Sequence, residues 1–212
     1  MNQDFSMRGP NKHFYIKGIL VLKPNHKDVL SLESMEIKNT HLGSRVWSSS
    51  YLLIHYLAEL KSFKHRKVLE IGCGWGLPST FVKKRFNADV ITTDKDGHVQ
   101  KYQQLLSSVN NVDVQFQQKG FHDLTINELL YADLIMGADI CYSLENIASL
   151  HDLIQRYFSN KNGEMLICDS GYPAFFDLIE RLGNSFNTEL TKVSMAKPTG
   201  ATGYVLRVRN MV

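Results

Sequence analysis

The sequence predicts an α/β protein built on a doubly wound, Rossmann-like sheet of seven mostly parallel strands that ends in an antiparallel C-terminal hairpin. An N-terminal β-hairpin and a helix over residues 48–60, called the front helix below, are expected before the sheet. Two observations carry this prediction. From residue 47 onward, segments that are apolar throughout alternate with amphipathic helical segments, which is typical of a parallel sheet covered by helices on both faces. The last two apolar segments follow each other with no helix between them, and this order predicts an antiparallel pair.

The N-terminal part, residues 1–42, has a different pattern and is expected to form a β-hairpin extension of one compact domain over residues 43–212. Residues 14–22 and 29–37 are rich in β-branched and apolar residues, and a turn-like Pro24-Asn25-His26-Lys27-Asp28 separates them. We therefore expect these two segments to pair as strands.

The remaining elements follow from hydrophobic periodicity. Apolar residues that recur every three to four positions predict helices, and short continuous apolar runs predict buried strands. In order, the expected elements are helix 48–60, strand 67–71, helix 77–86, strand 88–93, helix 97–109, strand 112–117, strand 132–138, helix 144–158, strand 164–168, helix 174–182, and strands 187–195 and 203–208.

Length, composition and charge limit the class of protein. A chain of 212 residues with 43% hydrophobic residues can bury a full core, which excludes a disordered protein. A net charge of +3 with both signs interspersed does not indicate a nucleic-acid-binding arm. The three cysteines are an odd number in apolar surroundings, and no apolar run is long enough for a signal peptide or membrane span. We therefore expect a cytoplasmic protein without disulfides.

A glycine-rich loop follows the first strand of the alternating part. Gly72, Gly74 and Gly76 occupy alternate positions between this strand and the next helix, where open α/β sheets bind nucleotides close to the backbone. The dinucleotide-binding pattern G-x-G-x-x-G would need glycine at Leu77, and no G-K-[S/T] follows, so neither a nicotinamide or flavin site nor a P-loop is expected.

Together with this loop, Glu70 before it and Asp94 at the end of the next strand resemble the pattern of class I S-adenosylmethionine-dependent methyltransferases, which have a Rossmann-like fold. The resemblance implies S-adenosylmethionine as cofactor and S-adenosylhomocysteine as product. It places Asp94 at the ribose hydroxyls, and Glu70 either near the methionine ammonium or in support of the loop backbone.

An acidic and an aromatic residue follow the end of the fourth parallel strand, beside the cofactor site expected at the glycine loop. These are Asp139 and Tyr142 in a D-x-x-Y arrangement. A carboxylate and a ring face can bind and orient a lysine ammonium until its proton leaves to water. The alternative interpretation is that Asp139 is a strand-end residue and Tyr142 ordinary packing.

Over about residues 14–180, the chain resembles the seven-β-strand protein-lysine methyltransferases. The resemblance rests on four motifs in the same order: Gly-x-x-Val-Trp47, the glycine loop, Asp94 at the end of the second strand, and Gly-Ala-Asp139-x-x-Tyr142. Phe121 stands where that family often has a tryptophan after strand three. The resemblance implies that two residues lie where the substrate lysine enters the site and are catalytic, and that nine others bind the cofactor. The catalytic residues would be Asp139 and Tyr142, and the cofactor-binding residues Trp47, Glu70, Gly72, Cys73, Gly74, Asp94, Lys95, Phe121 and Ala138.

Other functions remain open at this point. A small-molecule N- or O-methyltransferase could use the same cofactor crevice, and a non-catalytic module could keep only the fold. Nucleic-acid methylation is less expected, because Ile140 and Cys141 replace the rigid prolines of the D/N-P-P-Y motif. The histidines and cysteines show no metal-ligand spacing, so no metal is expected. The partner is therefore expected to be a protein or a small molecule, and the sequence leaves the oligomeric state open.

Overall fold

A seven-stranded mixed sheet forms the centre of the computed structural model, which describes residues 12–34, 45–196 and 200–211. The elements in chain order are β1 (His13–Ile16), β2 (Ile19–Leu22), α1 (Lys27–Ser34), α2 (Ser48–Glu59), β3 (Lys67–Ile71), α3 (Leu77–Phe86), β4 (Asp89–Asp94), α4 (Gln100–Val109), β5 (Gln115–Gln118), α5 (Ile126–Tyr131), β6 (Leu134–Ala138), α6 (Leu144–Phe158), β7 (Glu164–Asp169), α7 (Pro173–Leu182), β8 (Asn187–Met195) and β9 (Ala201–Arg209). Two short 3₁₀ helices, Gly97–Val99 and Phe121–Asp123, precede α4 and α5.

The strand order in the sheet is β5-β4-β3-β6-β7-β9-β8. Neighbouring strands from β5 to β7 are parallel, whereas β9 runs antiparallel to both β7 and β8. The predicted fold class, including the C-terminal hairpin, is thereby confirmed. The chain moves outward from β3 in one direction through β4 and β5, and then in the other through β6 and β7. This reversal opens a crevice at the carboxyl ends of β3 and β6, where such sheets bind ligands.

The two faces of the sheet carry separate hydrophobic cores. Helices α2, α3 and α4 and the N-terminal hairpin cover one face, and α5, α6 and α7 cover the other. The central strand β6 is buried along its whole length, which explains why its sequence is apolar at every position. The amphipathic α6 buries Ile147, Leu150, Leu153 and Ile154 on one side, as its helical periodicity predicts.

The N-terminal hairpin forms within the segment that was predicted as a single strand. Strands β1 and β2 pair with each other across Lys17 and Gly18, which both have positive φ, 46° and 84°, as a tight two-residue hairpin turn requires. The prediction treated residues 14–22 as one strand because its apolar pattern continues through this turn. The segment predicted as the second strand, 29–37, instead lies in α1 as far as Ser34, and residues 35–37 and Gly43 are outside the described residues.

The hairpin is attached to the sheet domain by Asn110 at the end of α4. Its Oδ1 accepts the backbone N–H of Leu20 at 2.8 Å, and its Nδ2 donates to the carbonyl of Leu20 at 2.8 Å. Side chains of the hairpin, among them Ile16, Ile19 and Val21, belong to the same core as α2 and α3. Residues 13–22 therefore pack as part of the main body.

The other predicted elements lie close to the observed ones. The predictions 67–71, 77–86, 144–158 and 187–195 coincide with β3, α3, α6 and β8. Helix α5 was not predicted from the sequence. Thr125 is its N-cap and accepts the N–H of Glu128, while the Glu128 carboxylate accepts the N–H of Thr125. Among the described residues, none of the helices has the length and apolar character needed to cross a membrane.

Candidate active site

A cleft of ≈ 500 Å³ lies at the carboxyl ends of β3, β4, β5 and β6. Most of the site residues predicted from sequence line it. They are Trp47, Gly72, Gly74, Asp94, Lys95, Phe121, Ala138, Asp139 and Tyr142. Two of the predicted residues, Glu70 and Cys73, are buried behind the cleft wall.

The glycine loop turns sharply at the end of β3. Gly72 and Gly74 have φ of 60° and 50°, which favours glycine. A Cβ on Gly72 would lie 2.7 Å from Cγ2 of Ile140, with the ring of Phe121 close by. The loop therefore brings bare backbone to the floor of the cleft, beneath the residues that follow β6.

Asp94 fixes this loop from the neighbouring strand. Its Oδ2 accepts the N–H of Gly74 at 3.0 Å, and its Oδ1 accepts the N–H of Asp96 at 3.0 Å. Burial raises the pKa of the carboxyl above its ordinary value, although these two hydrogen bonds oppose the shift. Each oxygen retains acceptor capacity toward the cleft, so Asp94 can receive two hydroxyl groups of a ligand.

Glu70 supports the loop from below. It is 1% exposed, and its Oε2 accepts the N–H of Ser79 in the first turn of α3 at 3.0 Å. Burial raises the pKa of Glu70 from 4.5 to about 8. Of the two roles considered from sequence, the geometry matches support of the backbone.

Cys73 is buried in the same loop, and its N–H donates to the carbonyl of Thr93 at 3.0 Å. Burial raises the pKa of its thiol well above the ordinary value, which makes the thiol a poor nucleophile.

Asp139 directly follows β6 and has a φ of 55°, a conformation that Asp adopts more readily than most residues. Its Oδ1 accepts the hydroxyls of Ser49 at 2.7 Å and Ser170 at 3.1 Å. Its Oδ2 accepts the N–H of Ser49 at 3.3 Å. The carboxylate thus touches both the front helix α2 and the loop after β7, and Oδ2 keeps a lone pair for a ligand.

Tyr142 and Lys95 face each other at the rim of the cleft. Tyr142 is 44% exposed, and Nζ of Lys95 lies 5.8 Å from its ring centre. A hydrogen bond with Tyr142 raises the pKa of Lys95. The rim therefore combines an accessible aromatic ring, a cation and the nearby Asp139.

Trp47 closes the cleft from the side of the front helix. It is the residue immediately before α2, and the guanidinium of Arg45 lies 3.9 Å from the centre of its ring. Trp47, for which the resemblance implies cofactor binding, lies in the wall of the cleft.

Part of the cleft wall was not predicted from the sequence. Its further lining residues are Asp96, Lys119, Gly120, His122, Ile140, Glu145, Asn146 and Ser149. Glu145, Asn146 and Ser149 share the polar face of α6, and helical spacing combined with the strand before it could have identified them. His122, next to Phe121, lines the cleft, whereas the amide of Gln118 donates to the carbonyl of Lys95.

A second buried acid, Asp169, lies beneath the rim. Its Oδ1 accepts the N–H groups of Gly171 and Tyr172 at 2.8 and 2.9 Å, which shapes the turn before α7. Burial raises the pKa of Asp169 from 3.8 to about 6. Among the described residues, no three His, Cys, Asp or Glu side chains form a group that could hold a metal ion.

A glycine loop after β3, an acid after β4 and a cleft at the reversal of strand order define the class I methyltransferase fold. The family model described as lysine methyltransferase matches residues 25–179 of the 212, and the chain belongs to this family. The family is one of methyltransferases, and the cofactor that the sequence resemblance implies for it is S-adenosylmethionine. The cleft fits this cofactor because Asp94 offers an acceptor for two hydroxyls and the glycine loop allows close approach.

Two curated relatives share this region. The chain is 28% identical over 139 residues to a histidine protein methyltransferase 1 homolog of Dictyostelium discoideum, covering 61% of this chain and 43% of the relative. It is 24% identical over 163 residues to the homolog of Rattus norvegicus, covering 61% and 45%. The matched region therefore spans less than half the length of these relatives.

Solved structures show the same fold. The tRNA (uracil-54, C5)-methyltransferase of Pyrococcus abyssi, in complex with S-adenosyl-L-homocysteine, superposes with a TM-score of 0.62 at 15% identity, covering 98% of this chain and 45% of that chain. At this identity the likeness concerns the fold alone.

Proposed function

We propose that this protein transfers the methyl group of S-adenosylmethionine to the side-chain nitrogen of a lysine in a protein substrate. The observation that carries the proposal is the rim of the cleft, where Asp139 and the exposed Tyr142 both line the cleft just after β6. The family to which the chain belongs is described as lysine methyltransferase, which supports the same acceptor.

In this proposal, Asp94 accepts the two ribose hydroxyls, and the backbone of Gly72 and Gly74 lies against the cofactor. Trp47, Phe121, Lys95 and Ala138 form the surrounding wall. The cofactor supplies a methyl group on a sulfonium, which a lone pair must approach in line. Glu70 and Cys73 act indirectly, since both lie behind the loop.

The acceptor must arrive at the rim and lose a proton before it reacts. The free lone pair of Asp139 Oδ2 and the ring face of Tyr142 can orient an alkylammonium. The ammonium of Lys95, 5.8 Å from the same ring, disfavours a second cation and therefore favours the neutral amine. The rim thus holds the acceptor while its proton leaves to water.

Histidine is a second candidate acceptor, because both curated relatives are histidine protein methyltransferase homologs. An imidazole is mostly neutral at pH 7 and needs no prior deprotonation. A cation beside Tyr142 would be compatible with such an acceptor.

We infer that the protein acts in the cytoplasm. Its three cysteines are free and buried, which is compatible with a reducing compartment.

The test is a transfer assay with radiolabelled S-adenosylmethionine and an extract of the source cells. Protein, nucleic-acid and small-molecule fractions are separated afterwards. Label in a protein, located on lysine by mass spectrometry, is the expected result. Label on histidine would select the second candidate, and label confined to small molecules or nucleic acid would overturn the protein assignment. Asp94→Ala, which loses the acceptor for the ribose, is the control for label that does not depend on this enzyme.

A further inference from the structure

The front helix α2 begins without a side-chain cap of its own. Its N-cap residue is Trp47, which makes no side-chain hydrogen bond to the first turn. The first N–H groups of a helix have no partner within the helix, and they are normally satisfied by a Ser, Thr, Asp or Asn at the cap. In this protein the acceptor comes from a distant part of the chain.

Asp139 supplies that acceptor. Its Oδ2 receives the N–H of Ser49, and its Oδ1 receives the Ser49 hydroxyl at 2.7 Å. Ser49 is fully buried, so its two donors depend on this carboxylate. A negative charge at this position also interacts favourably with the N-terminal end of the helix dipole.

The same carboxylate reaches the opposite side of the rim. Its Oδ1 also accepts the hydroxyl of Ser170, in the loop after β7, and the N–H of Asp139 donates to the carbonyl of Cys168 at the end of β7. Both Asp139 and Trp47 line the cleft. One side chain therefore joins the cofactor side of the cleft, at α2, to the acceptor side, at the loops after β6 and β7.

We propose that Asp139 is a positioning residue that holds the start of α2, and with it Trp47, over the cofactor cleft. Its carboxylate thereby couples cofactor binding to the geometry of the acceptor rim. The acceptor side of this inference depends on the proposed function. The cofactor side does not, because it concerns only how tightly the cleft binds S-adenosylmethionine or its product.

The experiment compares two serines that each donate one hydroxyl to Oδ1 of Asp139. Ser49→Ala removes the hydroxyl on the front helix, and Ser170→Ala is the matched control on the other side. Affinity for S-adenosylhomocysteine is measured by calorimetry, since it requires no acceptor. We expect Ser49→Ala to weaken binding about fivefold, the value of one hydrogen bond, and Ser170→Ala to change it less than about twofold.

Asp139→Ala should weaken the same affinity more than about tenfold, and Asp139→Asn, which keeps one acceptor, should recover part of the loss. Hydrogen exchange of the amides at 48–50 should be faster in Asp139→Ala than in the wild-type protein. Circular dichroism of each variant verifies that it is folded.

Equal affinities for S-adenosylhomocysteine in the wild type, Ser49→Ala and Asp139→Asn would overturn the proposal. That result would mean that loss of the cap increases hydrogen exchange at the start of α2 but does not affect cofactor binding. An equal loss in Ser49→Ala and Ser170→Ala would also overturn it. If the acceptor is not a lysine, the expected differences in affinity for S-adenosylhomocysteine still hold, because no acceptor is present in the titration. Failure of the proposed function is therefore distinguishable from failure of this inference.

Discussion

At the scale of the residue, burial gives three carboxyls in and behind the cleft wall different properties. Glu70 and Asp169 are almost fully covered and have pKa values raised to about 8 and about 6. Asp94 is less covered, and two backbone N–H groups oppose the effect of burial on its pKa. Of the three, only Asp94 lines the cleft, so it is the acid whose oxygens a ligand can reach.

We predict that Asp94→Ala weakens binding of S-adenosylmethionine by more than about 1.5 kcal/mol, because two hydroxyls lose a charged acceptor. Calorimetric titration measures the change. Asp113→Ala, an exposed acid outside the cleft, is the control and should bind as the wild type does. An unchanged affinity of Asp94→Ala would refute the ribose assignment.

A second prediction concerns pH. The folded protein keeps a proton on Glu70 up to about pH 8, whereas the unfolded chain loses it near 4.5. Between these values the unfolded state binds fewer protons, so this group makes the free energy of unfolding fall as pH rises. Glu70→Gln removes that contribution. Its stability relative to the wild type should therefore increase from pH 5 to pH 8 by up to a few kcal/mol.

Urea denaturation of the cofactor-free protein at pH 5, 6.5 and 8 measures this difference. Glu59→Gln is the matched control, because a hydrogen bond from Lys17 lowers the pKa of that exposed carboxyl. Glu59 is ionised in both the folded and the unfolded state over this range, so the difference in stability between Glu59→Gln and the wild type should stay constant. A constant difference for Glu70→Gln would mean that Glu70 is ionised in the folded protein.

The sequence could identify Asp139 but not its partners. D-x-x-Y at a strand end is visible in one chain segment, whereas Ser49 lies 90 positions away and Ser170 lies 31 away. Hydroxyls of this kind are common on surfaces, and only the packing of α2 against the carboxyl ends of β6 and β7 shows that Ser49 is buried. Gly72, Gly74, Asp94 and Asp139 were predictable as cleft residues because each lies at or just after the end of a strand that the sequence shows.

At the scale of the element, the long regular segments were predictable and the N-terminal hairpin was not. The pattern of α6 extends over four turns and identifies its buried face. Residues 14–22 give the same apolar signal whether they form one strand or two, and the turn at Lys17-Gly18 depends on backbone φ values that only the structure shows. The contact of α1 with α4, where Lys101 donates to the carbonyl of Leu32, is likewise invisible in local pattern.

The hairpin gives the third prediction. Asn110→Ala should destabilise the protein by about 1–3 kcal/mol, because a buried amide that satisfies both backbone groups of Leu20 is lost. Chemical denaturation measures the loss, and hydrogen exchange at the Leu20 amide should become faster. Asn160→Ala, which removes an exposed amide at the end of α6, should change stability by less than about 0.5 kcal/mol. A protected Leu20 amide in Asn110→Ala would contradict this role.

At the scale of the whole molecule, two cores share one sheet, and the N-terminal segment contributes to one of them. Ile16, Ile19, Val21, Leu22 and Val29 are each at most 4% exposed and pack in the core that contains α2 and α3. The same core positions the front helix, and Trp47 immediately before that helix lines the cleft. The described part of the N-terminal segment therefore packs in the same core as the helices of the sheet domain.

The last prediction follows from this shared core. A variant that lacks residues 1–34 should unfold with a Tm lowered by about 10 °C or more, because it exposes apolar surface worth several kcal/mol and each kcal/mol corresponds to about 2–4 °C at this chain length. It should also bind S-adenosylhomocysteine more weakly, since α2 loses packing partners beneath the cleft. Scanning calorimetry and titration measure the two effects. Ile19→Ala should reproduce part of the destabilisation, whereas Leu30→Ala, 48% exposed, should not. If the shortened chain melts within about 2 °C of the full chain, the hairpin would be an appendage, and the cleft would depend on the seven-stranded body alone.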